Sequence, residues 1–130
     1  MDPFRRELRD AADSLVRSLQ RVGLELGYDR DGVAALDAYI ERNRSYWSSD
    51  DRERLTGSIG AFLGECMVET YGGSWRDDPA RGPGVALPTG DTAFPLTKAG
   101  KHIRGDASDS VLSFFEMTGV IIAKGGITKL

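Results

Sequence analysis

An α+β fold is what the sequence predicts, with N-terminal helices packed with a small antiparallel sheet and two short C-terminal helices. Three observations carry this. Apolar residues recur at three- and four-residue spacing through the first half of the chain. That pattern stops at the glycine pair Gly72-Gly73. Short β-like pieces separated by turn residues follow. A chain of 130 residues fits one domain, 1–130, with a helical part at about 2–72 and a sheet-containing part at about 73–124.

Asp2-Pro3 offers an N-cap acceptor and a proline at the first helical position. Phe4, Leu8, Ala11, Leu15, Leu19, Val22 and Leu26 continue at helical spacing, so helix one is expected to reach about Leu26 and to end at Gly27. Asp31 is expected to cap a second helix carrying Val33, Leu36, Tyr39, Ile40 and Trp47, and Ser48 with Asp51 forms a capping box for a third.

The stretch Leu55–Trp75 carries two packing faces. At roughly 100° per residue, Leu55, Ile59, Phe62, Leu63, Cys66 and Met67 form a bulky apolar arc. Gly57, Gly60, Ala61, Gly64 and Val68 form a second arc of small side chains, which predicts a close backbone neighbour there. Arg54, Ser58, Glu65 and Glu69 are left to meet water.

Ser74-Trp75-Arg76, Gly84-Val85-Ala86-Leu87 and Thr92-Ala93-Phe94 are candidate strands of an antiparallel meander, split by the loop Asp77–Pro83 and the turn Thr89-Gly90-Asp91. Leu96, Ala99 and Ile103 predict a short helix. Ser108 or Asp109 caps another that buries Val111, Leu112, Phe114 and Phe115. Val120-Ile121-Ile122-Ala123 reads as a buried strand, and Gly125-Gly126 as the start of a loose tail.

A net charge of −3 with interspersed signs argues against attraction to nucleic acid. No apolar run approaches the ~20 residues of a membrane span. The N-terminus reads without a signal peptide, and a cytoplasmic location is expected. With His102 the only histidine and Cys66 the only cysteine, placed in the bulky arc, the usual zinc ligand sets are excluded, and no metal or cofactor is expected. Asp29-Arg30-Asp31-Gly32 fails as a calcium loop because Gly27 and Ala38 would stand at ligand positions. Gly57-Ser58-Ile59-Gly60 lacks the first glycine of a nucleophile elbow. Neither Arg81-Gly82-Pro83-Gly84 nor Gly125-Gly126 has the spacing of a phosphate loop. No catalytic residues are assigned.

One cluster stands out: Lys98, Lys101, His102 and Arg104 gather within a single short helical segment. They could receive a carboxylate or phosphate, with Trp75 or Arg76 nearby if the sheet brings them together, or they form a solvated face that stabilises a helix C-terminus through the dipole.

The ordered set Leu36-Asp37…Ile40-Glu41, Trp47 to Leu55, Gly60-Ala61-Phe62-Leu63-Gly64-Glu65-Cys66, Tyr71-Gly72-Gly73-Ser74-Trp75, Ala93-Phe94-Pro95, Lys98…Lys101 and Asp109-Ser110…Phe114-Phe115-Glu116 resembles a family of small uncharacterised bacterial proteins, a domain of unknown function, over roughly residues 33–122. The resemblance implies a bacterial origin and an α+β domain, and carries no activity or ligand.

Two function classes stay open. The first is a non-enzymatic bacterial protein-binding domain, an accessory or immunity-type role being one form, whose partner is another protein and which leaves homo-oligomerisation open. The second is a small-ligand or anion-binding domain, an enzyme included, using Lys98, Lys101, His102, Arg104 and Trp75.

Overall fold

The computed structural model of the protein describes residues 1–106 and 108–130. Its α+β architecture places helix α1 (Pro3–Gln20), α2 (Arg30–Asn43) and α3 (Ser49–Tyr71) before a meander of β1 (Ser74–Asp78), β2 (Gly82–Ala86) and β3 (Thr92–Ala93). Two short helices follow, α4 (Pro95–Arg104) and α5 (Val111–Lys124). One hydrophobic cluster runs from Leu8 in α1 through Ile59, Phe62 and Met67 of α3 to Phe115 in α5.

Capping chemistry decides most helix starts. Asp2 accepts the Arg5 N–H at 3.0 Å ahead of Pro3, and Ser48 with Asp51 closes the expected reciprocal box on α3. Two expected boundaries move. α1 ends at Gln20, six residues before Leu26, because Gly23 adopts φ +87° and lets the Leu24 N–H reach the Leu19 carbonyl at 3.0 Å. α2 is capped by Asp29 rather than Asp31, its carboxylate accepting the Gly32 N–H at 2.8 Å. Trp47 lies beyond α2, after a 3-10 turn at Arg44–Tyr46.

α3 is the spine. Its bulky arc is buried as expected, and Cys66 is enclosed with it; burial pushes the thiol pKa up and withholds the reactive thiolate. The small arc divides. A Cβ on Gly60 would lie 2.6 Å from the Leu96 Cα, and one on Gly64 would lie 2.1 Å from the Trp75 ring, so α4 and β1 approach the helix backbone at these two positions. Gly57 faces open space. Glu65, expected to meet water, is completely buried.

The sheet pairs in the order β1-β2-β3, with Ser74 opposite Ala86, Asp78 opposite Gly82, and Val85 opposite Ala93. Trp75, Val85 and Ala93 thus form one cross-strand row, and all three are buried. Residues 120–123, expected as a strand, are the last turn of α5. Val111, Phe115, Thr118 and Ile122 keep the helical stripe unbroken, and Ser110, rather than Ser108 or Asp109, accepts the Ser113 N–H that starts the helix. Instead of a loose tail, Ile127–Lys129 forms a 3-10 turn whose Ile127 N–H is bound to Asp91 at 3.1 Å. No helix among the described residues is long and apolar enough to cross a membrane.

Candidate functional site

The five side chains singled out by the sequence do not share one place. Trp75 lies under α3, its Nε1–H donating to Glu65 Oε2 at 2.8 Å. His102 is buried against α2 and the start of α5. Arg104 points to a shallow depression beside Thr56 and Gly100. Only Lys98 and Lys101 line a common cavity, and their companions there include Arg81, Phe94 and Phe114. Helical spacing explains the scatter: positions 98, 101, 102 and 104 fan over an arc of about 160° around α4, and Ala99 and Ile103 hold the helix face-down on the core.

His102 looks like metal chemistry at first. Its ring nitrogen and the carboxylates of Asp37 and Glu41 lie within 4.8 Å of one another. The hydrogen bonds give these groups another task. Nδ1 accepts the Val111 N–H at 3.1 Å, Asp37 accepts the Leu112 N–H at 3.0 Å, and Ser110 accepts the Ser113 N–H at 3.0 Å. Three free N–H groups at the start of α5 are thereby satisfied by side chains from three parts of the chain. With Nδ1 an acceptor, the uncharged ring carries its proton on Nε2, which donates to Glu41 at 2.8 Å. A metal on Nε2 would require that proton on Nδ1, where it would face the Val111 N–H. Arg44 completes the junction by donating to the His102 carbonyl at 3.0 Å, near the end of α4. We predict that long-range nitrogen-proton NMR correlations identify the Nε2–H tautomer and stay in place on zinc addition; an Nδ1–H tautomer or a zinc-induced switch would contradict this assignment.

Glu65 is the other buried ionisable centre. Besides Trp75, its carboxylate accepts from Arg9 Nη1 at 3.1 Å and lies 3.6 Å from Arg5 Nε. Burial opposes the charge on Arg9, and the hydrogen bond to Glu65 with nearby Tyr28 and Asp13 outweighs it, so the Arg9 pKa stands above its usual value. The Arg9 guanidinium also stacks 4.0 Å from the Tyr28 ring centroid. Burial and the hydrogen bond donated to Asp13 push the Tyr28 hydroxyl pKa up. This network ties α1, the connector after it, α3 and β1 together, and its carboxylate is fully occupied.

A larger concavity than the one beside Lys98 and Lys101 lies elsewhere. α1 and α3 line a groove of about 580 Å³ with the buried Leu15, Leu19 and Leu55 at its base, and Tyr39, Trp47 and Arg54 complete its lining. The Tyr39 and Trp47 rings stand 6.1 Å apart between centroids. Gly57 faces this groove, and its missing side chain keeps it open. Spacing alone had grouped Gly57 with the packed glycines. What distinguishes it is that no distant segment comes within 4 Å of a Cβ there.

Comparison of the chain with protein-family models, curated proteins and solved structures gives no match.

Proposed function

We propose that the chain is a non-enzymatic bacterial protein-binding domain whose partner lays an amphipathic helix into the groove between α1 and α3. The groove itself carries this reading. It is walled by two helices, apolar at its floor, and bordered by tryptophan, tyrosine and arginine, the residue types that dominate binding energy at interfaces. The small residues Ala11, Ser14, Ser18, Gly57 and Ser58 along its sides leave room for a third helix. The buried groups that could do chemistry, His102 and Glu65, are committed to holding helices together. In this reading the domain works in the cytoplasm, where a single reduced cysteine is at home.

Gly57 supplies the test. A Cβ there meets no atom within 4 Å, so a larger side chain is directed into the groove. Gly57→Leu should retain the fold and weaken binding to a partner captured from the native host, then purified, by about tenfold or more. Met117→Asp with Val120→Asp, on the exposed face of α5, is the comparison, and should bind like the wild type. Equal binding by Gly57→Leu and wild type, or loss only in the α5 variant, would overturn the groove as the docking site.

A further inference from the structure

We infer that the cavity between the β1–β2 turn, α4 and α5 is a binding site for a small organic carboxylate with a flat apolar body, separate from the α1–α3 groove. The cavity holds about 250 Å³, slightly below the range of drug-sized ligand sites, so its ligand is small.

Three cations from two distant segments converge on it in a chain that is acidic overall. Lys98 and Lys101 come from successive turns of α4, and Arg81 comes from the turn between β1 and β2. That turn is preorganised: Asp78 accepts the N–H groups of Ala80 and Arg81 at 2.8 and 2.9 Å, and Gly82 closes it at φ +80°. Lys98 is bound to Asp109, which is therefore neutralised as a competitor for the other two. Neither Arg81 nor Lys101 is in a salt bridge among the described residues, so two positive charges remain for a ligand.

The walls choose the body of that ligand. Phe94 and Phe114 present aromatic surface, with the Arg81 guanidinium carbon 4.1 Å from the Phe94 centroid and Lys98 Nζ 5.3 Å from the Phe114 centroid. Cations resting on ring faces are held where a carboxylate can meet them, and a planar group can then stack on the outer face of the Arg81 guanidinium and against the phenyl edges. Thr97 completes the lining on the α4 side. Inorganic phosphate would satisfy the charges and leave the outer face of the stacked Arg81 guanidinium and the phenyl edges without an apolar partner; a neutral aromatic would do the reverse.

The experiment is an amide NMR titration of the intact protein with benzoate, phosphate and benzamide as separate probes. Benzoate should bind saturably, with shifts concentrated at residue 81, residues 92–101 and residue 114, and about tenfold more tightly than either other probe. Arg81→Ala and Lys101→Ala should each weaken benzoate about fivefold or more while leaving distant resonances in place, since Arg81 is exposed and Lys101 half-buried. Added salt should weaken binding in the wild type. Non-saturating benzoate shifts, equal affinity for phosphate or benzamide, or unchanged affinity in both variants would overturn the assignment.

Discussion

Gly64→Ala is expected to cost the fold about 2 kcal/mol or more, although alanine is the better helix former by about 1 kcal/mol. The added Cβ would lie 2.1 Å from the Trp75 ring, and Pro95 stands 3.1 Å away on the same side. Trp75 cannot swing aside cheaply, because its Nε1–H is bound to the buried Glu65 carboxylate. The overlap therefore has to be relieved by moving β1 away from α3, which opens the cross-strand row of Trp75, Val85 and Ala93. Gly60→Ala meets the Leu96 backbone at 2.6 Å and should behave alike. Gly57→Ala reverses the sign: with nothing within 4 Å, helix propensity acts alone and should stabilise the protein by about 0.5–1 kcal/mol. Denaturant midpoints at constant slope measure all three. Equal midpoints for Gly57→Ala and Gly64→Ala would show that β1 and α4 do not rest on the helix backbone.

Glu65→Ala should be of similar or greater severity, about 3 kcal/mol, because removing one member of a buried charged cluster leaves its partners without compensation. The carboxylate is fully buried, while Arg9 and Arg5 keep 28% and 31% side-chain exposure, so water recovers part of the loss and the lower end of the usual range applies. Trp75 also loses its acceptor. Glu65→Gln keeps an oxygen for the indole and removes only the charge, and should cost about half as much. Glu69→Ala, with its carboxylate half-exposed beside the same arginines, should change stability by less than about 0.5 kcal/mol. Trp75 fluorescence in the folded state reports the indole environment, and urea unfolding reports the energies. A Glu65→Ala protein as stable as Glu69→Ala would mean that the buried cluster contributes nothing to holding α1 on α3.

The same residue shows where a sequence reading reaches its limit. On a helical wheel Glu65 falls beside Ser58 and Glu69, and residue type alone assigns that sector to water. Burial comes from outside the helix, where Arg5 and Arg9 of α1 arrive on one side and the Trp75 indole on the other. Separations of 56 residues for Arg9 and 60 for Arg5 leave no periodic trace. The carboxylate site divides similarly. Lys98 and Lys101 were legible as neighbours because helical spacing fixes them. Arg81, Phe94 and Phe114 were not, because the hairpin turn, the start of α4 and α5 meet only in space. His102 was legible as a lone histidine, yet its work as a cap for α5 depends on Asp37, Glu41 and Ser110 meeting in space.

By itself the sequence determined the fold class, the meander, the capping box at Ser48 and Asp51, the burial of Cys66, and the stop of α3 at Gly72. Each is set by interactions within a few residues, where backbone geometry converts spacing directly into facing. Tertiary structure alone decided the helical rather than extended state of residues 120–123, the burial of Glu65, and the difference between Gly57 and Gly64. In each case the local options are nearly equal in free energy. A neighbour contributed by a distant segment tips the balance, whether by excluding water, by accepting a hydrogen bond, or by occupying the space that a missing side chain leaves.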